Sequence, residues 1–112
     1  MKVYISGPIT GVPNGNQTAF AQAAANLRAR GHDPVNPHDL HAGAADTSWA
    51  GYMRRDIVAL MGCDAVVVLD GWGNSRGARI ERELAERLGL WVADYSYKRR
   101  MDQMFGELPC QP

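Results

Sequence analysis

Residues 66–69 read Val66-Val67-Val68-Leu69, an apolar run without alternation and mostly β-branched. β-Branched side chains favour extended backbone. A strand with one wet face alternates apolar and polar residues, so an unbroken run predicts a strand covered on both faces. In a chain of 112 residues, one domain's worth, the economical cover is a layer of helices on each side.

The rest of the sequence supplies those layers. Val3 to Ile5 is a short apolar run stopped by Ser6-Gly7-Pro8. A loop of Gly11, Pro13, Asn14 and Gly15 leads to a helix capped near Asn14 or Asn16, with Phe20, Ala23, Ala24 and Leu27 at helical spacing and Gly31 as its stop. Asp33 to Asn36 reads as a short second strand, and 37–47 as loop. Thr47 or Ser48 caps a second helix striped by Trp49, Met53, Ile57, Leu60 and Met61. A glycine-rich turn, Gly71 to Gly77, precedes a third helix from about Arg76 to Leu88. Trp91 to Ala93 is a last strand. The order β-α-β-α-β-α-β predicts a single Rossmann-like or flavodoxin-like α/β sandwich of three layers, with a parallel sheet of four to five strands. The domain spans 1–112, with weak helical character near Arg99–Phe105 and a loosely structured tail from about residue 97. Ligands of such sheets sit beyond the carboxyl ends of the strands, here 6–11, 36–46 and 70–77.

Charge and cysteine usage narrow the function. Twelve basic residues balance twelve acidic ones, which leaves no electrostatic footprint for a nucleic-acid polymer. Cys63 and Cys110 have no CxxC partner, so neither a zinc site nor a redox pair is signalled, and a reducing cytoplasm fits. The polar turn at Ser6-Gly7-Pro8 leaves the N-terminal apolar stretch too short for a signal peptide. No run approaches the ~20 apolar residues of a membrane span. No metal or other cofactor is expected.

One residue breaks the helical pattern. At 100° per residue with Ile80 at zero, Leu84, Leu88 and Ala85 fall at about 40°, 80° and 140°. Glu81 falls at about 100°, the only charged residue within that apolar arc. A carboxylate there is costly to desolvate unless paired, and at the ligand edge it is a functional candidate. The alternative is a structural ion pair with Arg54, Arg55 or Arg76. Asp56 reads as a solvated acid on its helix flank, Asp64 as a turn or cap before the core strand, and Asp70 as either a turn residue or a ligand contact.

The loops alone say less. Gly71-Trp72-Gly73-Asn74-Ser75-Arg76 has Arg where GxGxxG needs its third Gly, so the dinucleotide fingerprint fails. Ser75, Arg76 and the helix's first N–H groups have the means to hold one phosphate, with Ser6 to Gly11 as a second wall. Trp72 is suited either to stacking on a base or to packing. His32, His38 and His41 lack metal-ligand spacing and read as loop residues, and Lys98-Arg99-Arg100 reads as a solvated face.

Together these residues resemble the nucleoside 2-deoxyribosyltransferase superfamily, which includes the 2'-deoxynucleoside 5'-phosphate N-hydrolases; small phage and bacterial members are most similar. The likeness runs from Lys2 to about Gly89. It rests on Tyr4-Ile5-Ser6-Gly7-Pro8-Ile9-Thr10-Gly11, on Arg55-Asp56-Ile57 with Asp64 eight residues on, and on Ser75-Arg76-Gly77-Ala78-Arg79-Ile80-Glu81. The resemblance implies that Glu81 is a nucleophile, Asp56 a proton donor or orienter at the leaving base, and Tyr4 an orienter of Glu81. It implies substrate contacts from Ser6, Gly7, Pro8, Ile9, Gly11, Asp70, Trp72, Ser75 and Gly77. Six residues before the nucleophile the transferases carry an acid and the nucleotide hydrolases a serine. Ser75 therefore implies a 5'-monophosphate, since a hydroxyl donates to phosphate where an acid repels it. The family also implies a homodimer or larger homo-oligomer. Two positions depart from the pattern: Glu83 stands where Gly is frequent, and Thr10 where the nucleotide hydrolases have Arg.

The function the resemblance implies is cleavage or transfer of the N-glycosidic bond of 2'-deoxynucleoside 5'-monophosphates through a covalent Glu81 deoxyribosyl-enzyme, with a small-molecule deoxynucleotide or deoxynucleoside as partner. A nucleotide-binding module without turnover and a plain α/β interaction protein are the competing readings.

Overall fold

The computed structural model describes residues 1–95. Four strands, β1 (Lys2–Ser6), β2 (Asp33–Val35), β3 (Ala65–Leu69) and β4 (Trp91–Tyr95), form one sheet in the order β2-β1-β3-β4. Every pairing is parallel. The helices are α1 (Gln17–Ala29), α2 (Pro37–His41), α3 (Trp49–Met61) and α4 (Arg76–Arg87).

β3 is buried along its whole length, as its unbroken run demands. Ala65, Val67 and Leu69 join Val3, Ile5 and the α1 residues Phe20, Ala23, Ala24 and Leu27 in one core cluster. Val66, Val68 and Tyr4 join Leu60 from α3 and Ala85 from α4 in another. The sheet is thus the middle of three layers. Because strand side chains alternate, Ser6 shares the face of Tyr4, the one covered by α3 and α4. Chain order reverses between β1 and β3: the chain leaves β1 for β2 on one side and β3 for β4 on the other. That is the switch point at which open α/β sheets bind ligands.

The caps follow the sequence. Ser48 accepts from the Gly51 N–H and Ser75 from the Ala78 N–H. Asn16 stands at the start of α1, but its side chain donates to the Pro8 carbonyl at 3.0 Å and so ties the first loop down instead of capping. Asp64, expected to close a turn or cap, instead accepts from the Lys2 N–H of β1 at 2.9 Å and ties the starts of β1 and β3 together.

Three expectations are corrected. Residues 37–41 are helical, not loop, with Asn36 capping the His38 N–H and Pro37 in the first turn. The buried arc of α4 is centred on Ala78, Glu81 and Ala85, while Ile80 and Leu88 are 37% and 51% exposed. On α3 Met61 is exposed and Asp56 is buried, so the helix is rotated relative to its expected stripe. The helical segment expected near Arg99–Phe105, the tail and Cys110 lie outside the described residues. Cys63 is buried, and burial pushes its thiol up to about 11, which leaves it inert as a nucleophile.

Candidate active site

Beyond the carboxyl ends of β1 and β2 lies a cleft with a volume of about 70 Å³. Glu81, from the second turn of α4, forms part of its lining and is 4% exposed. The alternation of β1 supplies its partners. Tyr4 Oη donates to Oε2 at 2.6 Å and Ser6 Oγ donates to Oε1 at 2.7 Å. Two residues apart on one face of a strand, these hydroxyls grip both oxygens of one carboxylate. A carboxylate has about four acceptor positions, so each oxygen keeps capacity for a further contact. The ion pair with Arg54, Arg55 or Arg76 is not formed: burial raises the Glu81 pKa and the two hydroxyls lower it, with no cation among the described residues acting on it.

Asp56, on α3, is the second acid of the cleft and is 5% exposed, against the expectation of a solvated flank residue. Burial, then the negative charge of Glu81, pushes it up to about 7; Arg55 and the Tyr4 hydroxyl act the other way. Two buried acids that repel each other titrate as a unit. Glu81 holds two short, charge-assisted hydrogen bonds that favour its anion. The proton shared near neutral pH therefore belongs on Asp56. An acid and an anion with roles split by environment are the equipment of a two-carboxylate glycosidic site.

The walls come from three elements. Gly7 and Ile9 of the first loop line the cleft, as do Ser75 and Gly77 at the start of α4. A side chain at Gly7 would place its Cβ 2.9 Å from Leu69 Cβ, so glycine lets the first loop pass against the end of β3. A Cβ at Gly77 would stand 2.9 Å from Met53 Sδ, so glycine there lets α4 close on α3. Trp49, Tyr52 and Met53 form the α3 wall, with Thr10, Pro37 and Ala78 completing the lining. The Arg76 guanidinium lies 3.9 Å over the Trp49 ring, which holds a cation beside the first turn of α4.

Other expected contacts fall elsewhere. Pro8 and Gly11 belong to the first loop without lining the cleft, and Asp70 is exposed beyond β3. Trp72 packs against the α3/α4 core with the Arg82 guanidinium 4.3 Å over its ring. Conversely, His41, expected in a loop, sits on α2 with Nε2 2.9 Å from Asp56 Oδ1. His38 is on the same helix and reaches the Gly15 carbonyl at 2.9 Å. Among the described residues no three His, Cys, Asp or Glu side chains are grouped to hold a metal ion, and no helix is long and apolar enough to cross a membrane.

Residues 1–94 match the family described as a domain of unknown function, DUF4406. The chain belongs to that family. Comparison with curated proteins finds no match. Among solved structures, the DUF4406 chain is similar to a 2-deoxyribosyltransferase from Bacillus psychrosaccharolyticus. The TM-score is 0.68 at 19% identity, over 86% of this chain and 72% of that one. It is also similar to a 2-desoxiribosyltransferase from Leishmania mexicana, with a TM-score of 0.65 at 19% identity, over 85% of this chain and 63% of that one. The DUF4406 chain thus spans less than two thirds of the Leishmania protein. The fold is the one the sequence resemblance implies, that of the 2-deoxyribosyltransferases.

Proposed function

We propose that the protein cleaves or transfers the N-glycosidic bond of 2'-deoxynucleoside 5'-monophosphates through a covalent Glu81 intermediate. The observation that carries this reading is Glu81 itself: a buried carboxylate at the floor of a cleft, held by two hydroxyls and faced by an acid that keeps its proton near neutral pH. Glu81 attacks C1' as the C1'–N bond breaks, through an oxocarbenium-like transition state. Asp56 gives its proton to the departing base. Tyr4 and Ser6 orient the nucleophile. Water resolves the deoxyribosyl–enzyme in a hydrolase, and a second base does so in a transferase; both routes retain configuration at C1'.

The cleft's volume of about 70 Å³ is well below the ~300–1,000 Å³ of a typical ligand pocket. It suits the sugar, with base and phosphate along the open rim. Trp49 and Tyr52 offer aromatic surface to the base. Ser75, the first N–H groups of α4 and Arg76 offer donors and a cation to the phosphate. Arg76 would then do the work of the arginine that Thr10 replaces in the first loop. Val58 and Met61 on α3 and Leu88 after α4 are exposed, apolar surface that suits a second copy of the chain.

The test is chromatographic. The protein is incubated with each deoxynucleoside and its 5'-monophosphate, with Glu81→Ala in parallel. Free base released from a monophosphate, and lost in the variant, is expected. No release at high enzyme and long times would leave the binding module, to be recognised by tight nucleotide binding without turnover.

A further inference from the structure

His41 touches Asp56 but does not line the cleft, and the mechanism above leaves it unused. Its Nε2 and Asp56 Oδ1 are 2.9 Å apart, with both side chains buried. Neither atom has a hydrogen-bond partner of good geometry, so each is left to the other. The second ring nitrogen, Nδ1, accepts from Arg55 Nε at 3.2 Å. A guanidinium only donates. Nδ1 therefore presents a lone pair, and the proton of the neutral ring sits on Nε2, facing Oδ1. Arg55 is itself anchored by donation to the Asp46 carbonyl at 2.7 Å. The Tyr52 ring stacks on the imidazole with centroids 4.1 Å apart and planes at 18°, which holds the plane of the ring. Burial, Arg55 and His38 all lower the His41 pKa, which keeps the ring neutral.

Resting on the glycosidase reading, we propose that Arg55 and His41 are positioning residues that confine the Asp56 proton to Oδ2. Arg55 fixes the tautomer of His41, and His41 occupies Oδ1. The acid then presents its proton from one oxygen only. Once that proton has gone to the base, the same Nε2–H stabilises the carboxylate left behind. No proton passes through His41. The approach of the two atoms is short but not in line, so the contact has room to tighten when substrate fills the cleft.

The groups acting on Asp56 are Tyr4 from β1, Glu81 from α4, Arg55 from its own helix and His41 from α2, with His38 acting on His41. The experiment reads the titration of Asp56 by carboxyl carbon NMR and the His41 tautomer by imidazole nitrogen NMR. It compares wild type with His41→Phe, Arg55→Gln and His41→Gln. His41→Phe keeps a ring for the Tyr52 stack and removes the donor. Its Asp56 midpoint is expected to rise by about one pH unit, the effect of losing one hydrogen bond to the anion. His41→Gln, whose amide still donates, restores the midpoint. Arg55→Gln admits the Nδ1–H tautomer. The alkaline limb of kcat/KM for base release moves with the Asp56 midpoint. An unchanged midpoint in His41→Phe, or an Nδ1–H tautomer in wild type, overturns the proposal. The NMR readouts need no turnover. If they come out as expected while no substrate releases base, the proposed function fails and the clamp stands. Should His41→Phe not fold, the tautomer in wild type and Arg55→Gln decides.

Discussion

Tyr4 and Glu81 are 77 positions apart in the chain, and the tyrosine hydroxyl lies 2.6 Å from the carboxylate Oε2. Burial and the charge of Glu81 push the Tyr4 pKa well above its ordinary value, so the phenol stays a donor wherever the protein is folded. The bond joins the central strand to the helix that follows β3, and with it the sheet edge to the proposed nucleophile.

Tyr4→Phe removes one of the two donors to Glu81 and leaves the ring in its core position. A hydrogen bond to a charged group contributes ~1.5–3 kcal/mol, which corresponds to about 10–100-fold in rate. Steady-state kinetics should show kcat falling by that factor with KM nearly unchanged. A rate within twofold of wild type would remove Tyr4 from the machinery.

Glu81→Gln separates the enzymatic reading from a purely structural one. Gln keeps the shape and an acceptor for Tyr4 while removing a buried charge that no cation among the described residues offsets. Base release should drop by about 10³-fold or more, while the thermal midpoint at pH 8 holds or rises. A lowered midpoint, with no nucleotide stabilising the wild type, would return Glu81 to a structural role.

Stability should fall as pH rises through the neutral range. Asp56 holds its proton more tightly folded, at about 7, than at its ordinary 3.8. Below the lower value both states are protonated and the contribution is complete. Between the two, only the folded state keeps the proton, and stability declines by up to about 1.4 kcal/mol per pH unit. Above 7 the contribution is gone. Glu81, also raised, acts in the same direction. Thermal melts from pH 5 to pH 8 should fall less steeply in Asp56→Asn than in wild type, and an identical pair of curves would refute the assignment.

Ser75→Asp tests the phosphate end without disturbing the fold. Ser75 caps α4, and Asp caps as well as Ser does. The new carboxylate repels a phosphate, so KM for a monophosphate should rise by at least about tenfold relative to the matching deoxynucleoside. An equal change for both substrates would dissociate Ser75 from phosphate recognition.

Much of the architecture was legible because it depends on local chemistry. The run at 66–69 forced a strand covered on both sides, Ser48 and Ser75 marked their helix starts, and Glu81 stood out as a charge among apolar neighbours. What was not legible depends on how elements meet. A helical wheel gives the width of an apolar arc, not its heading. Ile80 and Leu88 fall outside the buried arc of α4 because Tyr4 and Ser6 make it possible to point Glu81 at the sheet. Asp56 read as solvated for the same reason, since its neighbours Glu81 and His41 come from other elements. The pair Asn36-Pro37 did carry the start signal of α2; the polar composition that follows it masked the short helix.

The alternation of β1 ties correct assembly to the proposed activity. Slip β1 by one residue against β3, and Val3 and Ile5 would turn toward Glu81 in place of Tyr4 and Ser6. The carboxylate would then be buried against hydrocarbon, and the two hydroxyls would face the packed core of α1. Such a chain would lose stability and the proposed chemistry together, so one register error would be removed by its own instability.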